Sequence, residues 1–229
     1  MNIAVVIAAY KEEGVIRKVV SHVPQEIEGL GSITTIVVDD GSYDNTAAEA
    51  RAGGAIVLSH LINRGQGAAL KTGFDYAVQQ GYDVVVSFDA DDQHNPCEIA
   101  DLVRTLVERD LDVVLGSRFL NKASVGLSGS RRLVLKAGVL FTRLISSLKV
   151  TDTHNGFRAF RRDALRTIRL VQDRMEHASE ILDQISKHQL SFTEVPVTIA
   201  YTDYSKKKGQ KSSEALKIAG KMLMYKLLN

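Results

Sequence analysis

Three carboxylates fall within four positions at Asp89-Ala90-Asp91-Asp92, with Gln93 and His94 directly behind them. They end a short run, Val84 to Phe88, that is too short for a helix and apolar enough for a fully buried strand. Ionised carboxylates do not stay in an apolar interior without a partner or a metal. The trio therefore belongs at the strand's C-terminal edge, where open α/β sheets bind ligands. If the strand continues, Asp89 and Asp91 project to the same side. Two hard oxygen ligands on one side suit Mg²⁺ or Mn²⁺, which take one or two carboxylates and fill the remaining positions with water and phosphate. The plainer reading is an acidic turn that leads into a helix started by Asn95-Pro96.

The elements that must position these residues alternate along the first half. Ile3 to Ala9 reads as a buried strand, followed by a helix that ends near Val23 before Pro24. Ile33 to Val38 is a second strand, and it also ends in carboxylates, Asp39-Asp40, before a Gly41-Ser42 turn. Asp44 or Asn45 caps a helix through about Ala52. Ala55 to Ser59, the Asp89 strand, and Asp112 to Arg118 are further strands; helices cover about Ala68 to Gln80 and Glu98 to Arg109. This alternation predicts βαβ units: an α/β fold with a mainly parallel central sheet flanked by helices. Later, Thr151 to Arg162 mixes a polar turn with a short strand, Glu176 to Lys187 is helical, and Phe192 to Ile199 is a strand whose Pro196 suggests a sheet edge. A final helix from about Glu214 interleaves Leu216, Ala219, Leu223 and Leu227 with Lys217, Lys221 and Lys226, a pattern that can lie on a membrane or a partner.

Length and composition fit one globular domain spanning 1–229. The lone cysteine, Cys97, excludes an intramolecular disulfide and has no companion nucleophile motif, so it reads as a packing residue. The apolar first strand begins directly after Met1-Asn2 and does not resemble a signal peptide, and no apolar run reaches the ~18–20 residues of a membrane span. The net charge of +2 conceals an asymmetry: residues 1–120 sum to −9 and residues 121–229 to +11. The second half therefore suits an anionic partner such as a phosphate or a membrane surface. No Gly-x-Gly-x-x-Gly follows the first strand and no Gly-x-x-x-x-Gly-Lys-Ser/Thr occurs, which disfavours a dinucleotide-dependent dehydrogenase and a P-loop NTPase. Gly65-Gln66-Gly67 reads as a helix-entry turn.

In chain order, Ala8-Ala9-Tyr10-Lys11-Glu12, Val38-Asp39-Asp40-Gly41-Ser42, Gly65-Gln66-Gly67-Ala68-Ala69, Asp89 to His94, Gly116-Ser117-Arg118-Phe119 and Asp152-x-x-x-Gly156-Phe157-Arg158 form a set. The set resembles the family 2 inverting glycosyltransferases of the GT-A fold, and within them the polyprenyl-phosphate sugar transferases. The resemblance runs from Ile3 to about Ser213. It implies that residues 1–120 bind a nucleotide sugar through Ala8, Tyr10, Glu12, Val38, Asp39, Asp40, Lys71, Asp89, Ala90 and Asp91. It implies a Mg²⁺ or Mn²⁺ site at Asp91, Gln93 and Asp89, and catalytic roles for Asp89, Asp91 and Arg118. It further implies that Arg118, with Arg131, Arg132, Lys208 and Lys211 of the basic half, 121–229, engages the donor's diphosphate or the acceptor's lipid phosphate. The expected partners are a UDP- or GDP-sugar donor, a polyprenyl phosphate and a membrane surface, with room for a small membrane-protein partner or a homo-oligomer and with no nucleic acid. The expected location is the cytoplasmic side, peripheral at the inner face of the membrane. The chain departs from the family pattern at Ala8 (usually Pro), Lys11 (usually Asn), Gln66 (commonly Lys) and Gly209-Gln210-Lys211-Ser212, where a Gly-x-Ser-Lys order is usual.

Charge distinguishes the possible acceptors. A saccharide hydroxyl needs a carboxylate base, for which Asp91 or Asp92 is the candidate. A lipid phosphate is already ionised and needs only cations, which the +11 half supplies. Two rivals remain from other classes. A nucleotidyltransferase would show a glycine-rich loop after the first strand, where Ala8-Ala9-Tyr10-Lys11 stands. A non-catalytic anion- or membrane-binding module would leave the acidic strand ends without a purpose. His94 reads as a metal neighbour or a cap, Glu180 as a surface or packing-edge residue, and Phe157 and Phe160 as core.

Overall fold

The computed structural model describes residues 1–120, 148–153 and 155–200. Eight strands form one sheet in the order β2-β3-β1-β5-β7-β6-β8, with β4 also paired to β3. They are β1 (Asn2–Ala9), β2 (Glu26–Ile27), β3 (Gly31–Asp39), β4 (Ile56–Ser59), β5 (Val84–Asp89), β6 (Val113–Ser117), β7 (Arg158–Arg161) and β8 (Phe192–Pro196). The helices are α1 (Ile16–His22), α2 (Thr46–Ala52), α3 (Gln66–Gln79), α4 (Ile99–Glu108), α5 (Arg162–Thr167) and α6 (His177–Lys187).

β1 is central because it has nothing to expose: Ile3 to Ile7 are all 0% accessible, with β3 and β5 parallel on either side. Alternating residues of these strands feed two cores. Ile3, Val5, Val86 and Phe88 pack with α1 and α4, while Ala4, Val6 and Val85 pack with α3, α5 and α6. In α4 the buried residues Ile99, Leu102, Val103 and Leu106 follow the helical period, and charge occupies the other face. α1 stops at Val23, which is extended, as a residue before proline prefers.

The parallel half matches the sequence reading closely. The departure is β7, which runs antiparallel to both neighbours: Phe160 stands between Val85 of β5 and Val113 of β6. β8 pairs only with β6 and ends at Pro196, so the proline marks an edge as expected. The short β2 and α5 have no clear sequence signal.

The register carries the functional consequence. Ala8 aligns with Val38 on one side and Asp89 on the other, and Ala9 aligns with Asp39. Three strand ends separated in sequence by 30 and 50 residues thus form one row at the C-terminal edge. Among the described residues no helix is long and apolar enough to cross a membrane.

Phe160 is fully buried and its ring lies 5.5 Å from that of Phe74. Phe160→Ala removes the pin that seats β7 between its neighbours. It should cost about 3–5 kcal/mol, read as a drop in the denaturant midpoint at unchanged slope.

Candidate active site

Asp89 is the last residue of β5, and its carboxylate is held from two elements. Gln66 at the start of α3 donates Nε2–H to Oδ1 at 3.2 Å, and His94 donates to Oδ2 at 2.8 Å. Gly156, just before β7, lies so close that a Cβ there would fall 2.4 Å from Oδ1. Burial pushes this carboxyl up, but the hydrogen bond and charge of His94, with His177 and Arg118 nearby, outweigh it and hold the group below its usual range.

Asp91 behaves in the opposite way. Burial first and the Asp89 charge second push it up to about 6. Oδ1 accepts the Gln93 N–H at 3.2 Å, and Oδ2 meets no donor among the described residues. The Gln93 side-chain amide is likewise without a hydrogen-bond partner among them. Asp92 turns away: at φ +60° it reaches Lys18 on α1 at 2.5 Å.

The residues expected to bind the donor separate into groups. Ala8, Val38 and Asp89 share one register row, and Asp39 follows on β3 with Oδ1 accepting the Ser42 N–H at 3.1 Å. Tyr10 lies at the exit of β1, where the Lys11 ammonium sits 5.0 Å from its ring centre and 3.9 Å from that of Tyr43. Glu12 is buried and its backbone opens α1. The Asp40 carboxylate is engaged by the protein itself. It accepts four hydrogen bonds, from His60 Nδ1, Asn63 Nδ2 and the N–H groups of Arg64 and Gly65, at 2.7–3.0 Å. With every lone pair in use, Asp40 acts as the clamp of the 60–65 loop. Lys71 is not brought to the row either. It is exposed, one and a half turns into α3, and paired with Asp75 at 2.5 Å.

Arg118 follows β6 and is fixed by Asp152, whose Oδ2 accepts its Nε–H at 2.6 Å and its backbone N–H at 3.1 Å. Asp152 is positioned in turn by Glu194 of β8, which accepts the N–H groups of Thr151 and Asp152. Thr151 Oγ1 also meets Ser117 Oγ at 2.6 Å. A polar chain across three elements therefore fixes one cation whose charge Asp89 feels. Arg131, Arg132, Lys208, Lys211, His154 and the final helix lie outside the described residues. The chain leads toward the basic loop from Ala200, whose N–H donates to the Gln93 carbonyl at 2.8 Å.

Several contributors were not visible as such in the sequence. His177 opens α6, is 4% exposed and interacts electrostatically with Asp89; its Nδ1–H donates to the Arg174 carbonyl at 2.6 Å. Burial pushes His177 down to about 4, so it is neutral at pH 7. Arg158 is 3% exposed and donates to the carbonyls of Thr153, Asn155 and Ala178, tying the polar turn to α6. Gly65 and Gly67 do enter a helix, and the structure adds their reason: a Cβ at Gly67 would lie 2.1 Å from the Gln172 carbonyl oxygen. Glu180, read as a surface or packing-edge residue, is half-buried and accepts the N–H groups of Val171 and Gln172, and so shapes that segment. Cys97, expected in the packing, is exposed.

Among the described residues no three His, Cys, Asp or Glu side chains converge into a closed metal cage. An open site fits the donor chemistry. Among the described residues Asp91 has an oxygen without a donor and no ion pair, and the Gln93 side-chain amide is unengaged. That is the partial, hard-oxygen set that Mg²⁺ or Mn²⁺ completes with water and phosphate.

This sheet, with its row of strand-end carboxylates, has the GT-A glycosyltransferase architecture. Glucosyl-3-phosphoglycerate synthase of Mycobacterium tuberculosis, solved with Mn²⁺, UDP and glucosyl-3-phosphoglycerate, superimposes with a TM-score of 0.73 over 95% of this chain and 76% of its own, at 24% identity. The chain belongs to glycosyl transferase family 2, whose model matches residues 4–169. It is 33% identical to the UDP-N-acetylglucosamine–dolichyl-phosphate N-acetylglucosaminyltransferase of Methanococcus voltae, over 98% of this chain and 96% of that one. It is also 33% identical to the polyprenol monophosphomannose synthase of Mycolicibacterium smegmatis, over 79% and 72% respectively.

His177 makes a pH prediction. An unfolded histidine titrates near 6.5, so between pH 6.5 and 4 the unfolded chain binds the extra proton and folding stability falls as pH falls. The loss should approach about 3 kcal/mol at pH 4 and be absent above pH 7. Urea midpoints of the protein and of His177→Gln at pH 7.5, 6 and 5 measure it as the difference in their pH slopes.

Proposed function

We propose that this glycosyltransferase is a metal-dependent, inverting hexosyltransferase. It moves a sugar from a UDP- or GDP-sugar to a polyprenyl phosphate at a membrane surface. The observation that carries the reading is a matched pair: Asp91, a carboxylate with no ion pair among the described residues, and Arg118, a cation held by Asp152 whose charge Asp89 feels. The names of the relatives support a polyprenyl-phosphate acceptor.

Breaking the anomeric C–O bond builds negative charge on the departing diphosphate. Asp91 and Gln93 would hold a Mg²⁺ or Mn²⁺ ion, which when bound supplies Lewis-acid neutralisation of the diphosphate oxygens. Arg118 adds a second cation, fixed in advance, and its orientation requires no rearrangement as the charge develops. Asp89, whose two oxygens already accept protein hydrogen bonds, contributes a fixed negative charge at the donor end of the row. The nucleotide lies against Ala8, Tyr10, Val38 and Asp39, and the acceptor attacks from the face opposite the leaving group.

The acceptor needs no base if it is a phosphate. Asp92, one of the two candidate bases, is turned away onto Lys18. Asp91 is the metal carboxylate in this reading, which leaves no free base at this edge for a hydroxyl acceptor. Arg131, Arg132, Lys208 and Lys211 supply the cations for the lipid phosphate. The Ala200 N–H donates to the Gln93 carbonyl, which ties the last described residue to the metal loop.

Two measurements test this. UDP- and GDP-sugars with Mn²⁺ should raise the melting temperature for one nucleotide class and not in EDTA. Ligand at 100 times its Kd adds about 2.7 kcal/mol. Transfer to dolichyl phosphate in vesicles should fall on the order of 100-fold or more in Asp91→Asn, while Asp92→Asn stays within a few-fold of the parent. Equal effects of the two substitutions would sink the metal assignment.

A further inference from the structure

We infer that His94 is a positioning residue. It fixes the orientation of the Asp89 carboxylate, and this role accounts for a histidine at a place where phenylalanine would be more stable. The inference concerns how the proposed transfer site is held in shape and rests on that reading only for its activity readout.

The packing around His94 is aromatic. Its ring lies 5.3 Å from Phe88 and 5.0 Å from Phe157, and those two rings meet edge to face at 5.1 Å. The side chain is 2% exposed. Its one polar contact is Nε2–H donating to Asp89 Oδ2 at 2.8 Å, since a carboxylate oxygen accepts. The other ring nitrogen, Nδ1, is buried and has no hydrogen-bond partner among the described residues. A buried, unsatisfied nitrogen is a net cost, and a phenylalanine in the same aromatic slot would avoid it. What phenylalanine lacks is the Nε2–H directed at Asp89.

The rest of the cage explains why that single donor matters. Gln66 holds only Oδ1, at 3.2 Å, and Gly156 closes the space beside the same oxygen. Without His94, Oδ2 has no donor among the described residues, and the carboxylate is held at one oxygen only. The His94 backbone is itself fixed by a bridge to Ile199, which is 2% exposed. The ring therefore transmits the position of a buried strand segment to Asp89, and Asp89 sets the negative charge that Asp91 feels. Residues that orient the groups around a metal-bearing carboxylate typically change affinity or activity 10–100-fold when lost.

The test sets stability against activity. His94→Phe should melt at or above the parent temperature, yet kcat should fall about 10–100-fold with the KM for dolichyl phosphate unchanged. His94→Gln places an amide donor within reach of Asp89. It should melt lower because it sits in an aromatic slot, and yet recover most of kcat. Transfer is assayed from UDP-N-acetylglucosamine and from GDP-mannose, and Mn²⁺ binding is titrated separately by calorimetry, with several-fold weaker binding expected for His94→Phe. A His94→Phe protein with parental kcat, or activity that follows melting temperature across the two variants, would overturn the role. If the parent transfers from neither donor, that failure falls on the donor assignment. The Mn²⁺ titration then decides alone, and equal affinity in parent and His94→Phe overturns the inference.

Discussion

The structure depends on where one carboxylate is allowed to sit. Asp89 cannot be carried into the interior that Val84 to Phe88 build, and it cannot be left free if its charge is to act at a defined point. The sheet solves the first problem by ending β5 at that residue, at the edge where β1 and β3 also end. The second is solved by donors from elsewhere: Gln66 from the entry of α3, His94 from the following loop, and the tight approach of Gly156. Asp91, two residues on, then feels a fixed negative neighbour and keeps one oxygen without a protein donor. The difference between two adjacent acids, one held and one open, is what makes the edge a site.

The second half of the chain completes that edge from the other side. β7 enters between β5 and β6, which puts Gly156 and Phe157 against Asp89 and His94. The Glu194–Thr151–Asp152 chain then fixes Arg118. Arg158 is buried below, solvated by three carbonyls, and burial pushes it down to about 10, so it remains charged at neutral pH. Its charge and that of Arg118 both favour ionised carboxylates on the rim. A rim that carries acids beside a fixed cation follows from this joining, and the proposed nucleotide-diphosphate donor is the kind of ligand that needs both.

Not every acid on the rim serves a ligand. Asp40 and Glu180 have the composition of site residues, but their oxygens accept hydrogen bonds from the 60–65 and 171–172 segments. Asp92 completes an ion pair with α1. A loop that leaves the sheet edge has backbone N–H groups with no ladder to join, and a short acidic side chain is the simplest acceptor for them. Charge near a strand end is therefore ambiguous until its partners are known.

The sequence alone determined the parallel half of the sheet, because unbroken apolar runs that end in acids admit few other placements. It also determined the family, through six ordered motifs, and the division into an acidic and a basic half. It located Asp89, Asp91 and Arg118 for the same reason: each directly follows or ends an apolar strand, so its address is local. Tertiary structure alone decided the rest. That Asp40 is saturated, that Asp92 turns to Lys18, and that His94 lies between Phe88 and Phe157 are contacts across 6 to 74 residues of separation. The antiparallel insertion of β7 spans a similar distance in sequence, and the seat of the Gln172 carbonyl at Gly67 a longer one. Local pattern fixes which residues reach the edge of a sheet. Which of them remain free to bind something is set by donors that the chain brings back from a distance.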